Sequence, residues 1–304
     1  MDRVQLHPEV AAALRDGRAV VALESSVLAQ GLPEPSNREA DRRMCAAIRA
    51  GSALPAVTAV VRGVPAVGLD DPDLERFLAR SGIPKVSARD LPWAIAHGTD
   101  GATTVAAALC ICTQAGLPVF STGGIGGVHR LAGNAPLDES ADLLELSRSS
   151  VVTVCAGAKS ILDLPATVER LETLGVTVIG YRTDEFPGFF TERTGIPIGA
   201  VAESPAEIAA TFRAARALGR PGAVLVVQPP PAAAALDGWL VDDAVRSAVA
   251  EASAAGISGA KLTPFLLAAV ERATGGRSLD TNIALLEANA ALAAEIAVAL
   301  TDSR

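Results

Sequence analysis

Short runs of β-branched and apolar residues return along this chain with alanine-rich amphipathic stretches between them, and this alternation constrains the fold more than any other feature. Strand-like runs cover 19–23, 56–61, 117–121, 151–155, 176–180 and 223–227, and helix-like stretches cover 37–50, 71–80, 103–115, 140–147, 165–174, 205–218 and 242–255. Strands that are apolar at nearly every position have no face to give to water, so they belong in a parallel sheet with crossover helices on both sides. The expected fold is α/β: a three-layer α/β/α sandwich with a largely parallel sheet and a helical C-terminal cover, one domain over 1–304 whose helical part begins at about 237.

Composition narrows the function classes. A chain of 304 residues that is 50% hydrophobic can bury a large core. With 26 Lys and Arg against 34 Asp and Glu, a net charge of -8 and no basic cluster, a phosphate-tracking groove for nucleic acid is not expected. Any phosphate must be held locally, by a few cations and backbone amides. Cys45, Cys110, Cys112 and Cys155 lie in apolar or helical stretches with no CxxC pair and read as reduced core residues. The first residues are charged throughout, and no apolar run reads as long enough to span a membrane, so the expectation is a cytoplasmic protein with no membrane partner.

Ligands in open α/β sheets collect at the carboxyl ends of strands, and four segments carry reactive groups there. In VVTVCAGAKSILDL, 151–164, a strand runs into small residues and delivers Lys159 to the mouth of a helix. The partly positive helix terminus and apolar neighbours would favour the neutral amine, a nucleophile for carbonyl carbon. A solvent-reaching first-turn lysine is the plainer reading of the same residue. In VVALESSVLAQGLP, Glu24 follows a strand and could move protons if burial raises its pKa, or simply cap a turn. Lys85 and Arg89, with Gly101, Thr103 and Thr104 at the expected start of a helix, make a reasonable phosphate cradle, or an ordinary cap beside a surface lysine.

The fourth segment, VFSTGGIGGVHRLAGNAPLDESADLLEL, places glycines 123, 124, 126 and 127 after a strand, where backbone amides could approach an anion or a ring closely. The spacing is not GxGxxG and no ribose-binding acid ends a second strand, so a dinucleotide-dependent oxidoreductase is disfavoured. Asp138, Glu139 and Asp142 form a compact acidic group suited to a hard cation, or a capping run. His129 is balanced between phosphate contact and structure. Phe186, Phe189 and Phe190 could stack on a ring, but a chain that is 3% aromatic must use some of them for packing. Residues 263–267 read as a helix start with Pro264 first.

Taken together, ALESSVLAQGLPEPSN, KVSARDLPWAIAHGTDGATTVAA, STGGIGGVHR, SADLLEL, VCAGAKSILDL, GYRTDEFPGFF, TPFLL and SLDTNIALLEANAALAAEIA resemble the pseudouridine-5'-phosphate glycosidase family, also called the indigoidine A-like family, from about Leu6 to Leu300. The resemblance implies reversible cleavage of a carbon–carbon glycosidic bond, turning pseudouridine 5'-phosphate and water into uracil and ribose 5-phosphate. A carbon leaving group is hard to expel by oxocarbenium chemistry alone. In the family scheme the ribose opens, its C1 becomes linked to a lysine as an imine, and the iminium serves as electron sink. Lys159 matches that lysine, Glu24 the acid or base, Lys85 the lysine on the sugar phosphate and Asp138 the manganese-associated aspartate. Val105, Ser140, Ala141 and Asp142 match substrate contacts, and Asn282 a polar residue at the site. A manganese cofactor and a homotrimer are implied in the same way.

The sequence departs from the usual family pattern near this chemistry. Ser26 stands for a threonine, Gln30 for a histidine, the loop HRLAGNAPLDES is one residue longer with changes at Leu131, Gly133 and Leu137, and the lysine before TPFLL is shifted to Lys261. These changes put the ring side and the metal loop in question. The glycosidase reading stands first; a C-glycosynthase joining ribose 5-phosphate to another planar ring is the alternative. A non-catalytic sugar-phosphate-binding protein should lack Lys159 or Glu24, and both are present.

Overall fold

The expected strands form, and four of them are buried on both faces. The structure, a computed structural model, describes residues 4–80, 82–130, 138–257 and 262–301. Its central strands are β1 (Val20–Glu24), β2 (Leu54–Val61), β3 (Val119–Ser121), β4 (Val152–Cys155), β5 (Thr177–Tyr181) and β6 (Val224–Val227). They lie in the order β2-β1-β3-β4-β6-β5, every neighbouring pair parallel. β1, β3, β4 and β6 are buried at every residue, which is why period-two alternation is missing from their sequences.

Short strands extend this sheet at its edges and make it mixed. Val64–Val67 and Gly101–Thr103 both run antiparallel to β2, Gln5–Leu6 adds to the first and Lys85–Val86 to the second, each in parallel. Thr103 is thus a strand residue and not part of a helix start; the helix begins at Val105 behind the cap residue Thr104. Too short to show a period, such strands are set by pairing instead. Thr58 stands beside Glu24 in register, and its hydroxyl meets that of Thr103 at 2.9 Å, so the antiparallel strand brings Thr103 to the carboxyl end of β1.

Helix Val105–Ala115 and the C-terminal helix Arg277–Thr301 both pack on β1 and β3. The latter is long and apolar enough, by length and composition, to cross a membrane, against the sequence reading of apolar runs. It lies instead against β1, β3, β4 and the helices Ser36–Ala50 and Pro205–Ala217, with Leu285, Leu286, Ala293 and Ile296 fully enclosed. A helix wrapped by protein on most sides reads apolar all round. The expected helical C-terminal part is present; Gly238–Ala254 and Leu262–Ala273 pack on each other, while the last helix belongs to a layer of the sandwich. Helix Leu262–Ala273 takes in the expected start at 263–267, but the side chains of Thr263 and Pro264 lie outside the described residues.

Cys112 and Cys155 are buried and Cys45 and Cys110 half-buried, all as free thiols. Burial pushes the Cys45 and Cys155 thiols up to about 12, so they pack as small apolar groups.

Candidate active site

Glu24 ends β1 with its carboxylate inside the protein, 7% exposed. Burying a charge that way is costly unless it is hydrogen-bonded. The Ser26 hydroxyl donates to Oε2 at 2.5 Å and the Thr122 hydroxyl to Oε1. Ser26, a departure from the family threonine, therefore still provides the hydroxyl. The backbone of this strand end is knitted to Thr103: its N–H donates to Ser25 Oγ at 2.9 Å, and its hydroxyl reaches Thr58 O at 2.8 Å.

Thr122 is held from the opposite layer. Asn289, 1% exposed on the C-terminal helix, donates to Thr122 O at 2.9 Å, and Gln228 Nε2 donates to Asn289 Oδ1 at 2.9 Å. An amide buried in an apolar helix needs partners. These pin the carboxyl end of β3 and aim its hydroxyl at Glu24. Thr122, Asn289 and Gln228 were not singled out from sequence, although a lone asparagine in LLEANAALAA was the available signal.

Lys159 does not sit at a helix mouth as expected. After β4, Gly157 turns with φ +81°, where a Cβ would come within 2.2 Å of Pro187 O, and the helix starts only at Leu164, capped by Asp163. Segment 156–159 is instead zipped to the glycine turn: Ala156 N–H donates to Gly123 O, Ile125 N–H to Gly157 O and Lys159 N–H to Ile125 O. Its half-buried ammonium donates to Gly124 O at 2.9 Å. This backbone scaffold, not a helix terminus, aims the amine.

The glycines serve close packing more than anion binding. A Cβ on Gly124 would lie 2.6 Å from Phe189, one on Gly127 2.4 Å from the Thr167 hydroxyl, and one on Gly126 2.2 Å from the Ser140 hydroxyl. Phe186, Phe189 and Phe190 are accordingly core residues, at most 3% exposed.

The compact acidic group does not converge. Asp142 turns inward and accepts the Ala106 amide at 2.9 Å and the Gly126 amide at 2.8 Å, satisfying a first-turn donor of helix Val105–Ala115. Glu139 accepts from Arg170 at 3.0 Å, and Asp138 is exposed. Among the described residues no three His, Cys, Asp or Glu side chains gather as a metal cage. Replacing Asp142 with asparagine should leave one buried amide facing an NH2 group and cost about 1–3 kcal/mol, read as a lower urea midpoint; an unchanged midpoint would deny Asp142 this bracing role.

These elements enclose a cavity of about 390 Å³, within the range of ligand pockets. Glu24, Lys85, Lys159, Val105 and Asp142 face it, with Asp138, Ser140, Ala141, His129, Arg89 and Thr104 around them. Lys85 enters along the short strand beside Ala102, its side chain open to solvent through the cavity. Crowding by protein, then the Lys159 ammonium, draws its amine below the ordinary lysine range, while Glu24 and Asp142 pull the other way. All three charged groups thus act on Lys85 within one site. Asn282 is not in the wall; it lies behind the glycine turn, with Oδ1 toward Gly123. Gln30 is also outside, donating to Ile83 O at 2.7 Å, so this departure falls on the segment leading to Lys85. Leu131, Gly133, Leu137 and Lys261 lie outside the described residues.

A larger hollow of about 530 Å³ beyond Ser160 lacks such a set. Its Glu185 is taken by Arg193 and the Thr194 and Gly195 amides, and its Asp163 caps a helix.

The profile of the indigoidine synthase A-like proteins matches residues 9–299. A pseudouridine-5'-phosphate glycosidase from Gemmatimonas aurantiaca is 62% identical over 95% of this chain and 94% of its own length. Another from Herpetosiphon aurantiacus is 50% identical over 100% of both. Among solved structures, the prealnumycin C-glycosynthase AlnA in complex with ribulose 5-phosphate superposes with a TM-score of 0.92 at 39% identity, covering 100% of this chain and 98% of that one.

Proposed function

The chain belongs to the indigoidine synthase A-like family, and from that premise we propose that it is a C-glycosidase that reversibly cleaves pseudouridine 5'-phosphate to uracil and ribose 5-phosphate. The observation that carries this reading is the meeting of the Lys159 amine, the Glu24 carboxyl and Lys85 in one cavity, in a chain 62% identical to a pseudouridine-5'-phosphate glycosidase.

Glu24 gives a proton to the ribose ring oxygen as the C1–O bond breaks, and Lys159 Nζ, as free amine, forms a bond to C1. Glu24, now a carboxylate, takes a proton from the attached nitrogen; the freed lone pair drives cleavage of the bond from C1 to the base as Glu24 gives that proton to the departing carbon, leaving an iminium on Lys159. Water hydrolyses the iminium, restores the amine and releases ribose 5-phosphate. Lys85, with Arg89 near the helix start at Thr104, holds the phosphate. Ser140, Ala141, Asp142 and Val105 shape the sugar side, and Asn282 bears on the site through the glycine turn.

The donor set suits a hydrated hard cation at most: Asp138 offers one exposed carboxylate, and water would fill the remaining positions. Manganese held there would lend positive charge to the cavity mouth. A homotrimer belongs to the same reading. The protein is proposed to work in the cytoplasm on a small sugar phosphate.

AlnA, a C-glycosynthase, keeps joining of ribose 5-phosphate to another planar ring as the second reading. Incubation with manganese, ribose 5-phosphate and either uracil or a panel of quinoid rings separates the two. Pseudouridine 5'-phosphate formed from uracil is the expected product; no product with uracil but a C-glycoside with another ring would overturn the first reading.

A further inference from the structure

We propose that Gln30 is a positioning residue for Lys85, locking the phosphate-side lysine to the strand end that carries Glu24; this rests on the functional reading above. After Glu24 the chain makes one π-helical turn, Val27–Gly31, a rare element that concentrates at functional sites. On one side the turn is held by Asn37, which donates to Leu28 O, and by Arg80, which donates to Ala29 O and Leu32 O. The bond from Gln30 Nε2 to Ile83 O, at 2.7 Å, ties it to the chain just before Lys85.

Gln30 Oε1 is buried with no hydrogen-bond partner among the described residues. A buried acceptor left alone lowers stability. An apolar side chain of the same length would avoid that loss, so the glutamine is explained by what its N–H does: it sets the height of Ile83 and Pro84, and Lys85 follows directly. From Pro84 onward the segment is held by its pairing with Gly101–Thr103, by the Ala102 N–H donating to Pro84 O at 2.8 Å and the Thr104 N–H donating to Val86 O at 3.0 Å, and by the buried Val86 side chain. Glu24 and Lys85 sit on different strands, and this tie links them locally.

Gln30→Met removes both the donor and the lone acceptor at similar volume. The variant should melt within a few degrees of the wild type yet bind ribose 5-phosphate about tenfold more weakly, since small misplacements of binding groups cost rates and affinities of this order or more. Its kcat at saturating substrate should stay near that of the wild type, and Gln30→His, which restores an N–H of similar reach, should recover the affinity. Amide exchange read by mass spectrometry over 83–88 should quicken in Gln30→Met and return in Gln30→His. Unchanged exchange in Gln30→Met would overturn the positioning role whatever the substrate proves to be. So would equal ribose 5-phosphate affinity in the variant and wild type. Wild-type protein that fails to bind ribose 5-phosphate while the exchange difference persists would instead count against the substrate reading.

Discussion

Lys159→Ala should abolish covalent capture of ribose 5-phosphate under borohydride and lower turnover at least about 10³-fold, as expected when the group that forms the covalent bond is removed. Borohydride reduces an iminium to a stable secondary amine, so a wild-type adduct locates the bond at Nζ by its added mass on the Lys159 peptide. The side chain touches Gly124 O and faces the cavity, and Lys85 remains as a cation beside the Glu24 and Asp142 carboxylates, so the variant should fold. Lys159→Arg sharpens the test. Arginine keeps a cation and can still donate to Gly124 O, but its guanidinium does not give a neutral amine in this pH range. If Lys159 served only to attract phosphate, the arginine variant would keep much of the activity and wild type would give no adduct. Activity lost in both variants, with the adduct confined to wild type, is the result the mechanism requires. Full adduct in Lys159→Ala would move the nucleophile elsewhere, with Lys85 the nearest candidate.

The parallel core was legible because its strands sit in longer apolar runs, such as 117–121 around Val119–Ser121, that stand out from alanine-rich helices. The edges were not: Lys85–Val86 and Gly101–Thr103 are too short to carry a period, and Thr103 reads equally as strand end or helix start. For the site, the sequence marked which residues share the cavity better than how they are held. Lys159 reads as a strand-end amine and does line the cavity, but its aim comes from backbone bonds to Ile125 and Gly124 across two glycine-bearing turns, a nonlocal pairing with no local pattern. The acidic trio looked like a cation site because the residues are close in sequence; a helix start at Ala141 points Asp142 into the fold and leaves Asp138 outside. Thr122 is ordinary in sequence, and only the packing of the Asn289 helix across β3 shows that its hydroxyl serves Glu24.

Glu24→Gln should bind ribose 5-phosphate like the wild type and lose roughly 10²- to 10⁴-fold in turnover, the range for removing a positioned acid–base group. The amide is nearly the same shape as the carboxyl, and the change need not disturb the fold. Ser26 and Thr122 hydroxyls now both donate to the carboxylate; since each can also accept, one of them can rotate to receive the amide N–H. What the amide lacks is a proton to give to the ribose oxygen and an oxygen basic enough to take it back. The defect should therefore lie in kcat, with KM little changed. Imine capture from free ribose 5-phosphate, whose aldehyde form is already open, should suffer less than cleavage of the intact nucleotide. That difference between the two assays is the decisive measurement. Equal loss in both would place Glu24 in support of Lys159 and not in ring opening, and undiminished cleavage would remove it from proton transfer altogether.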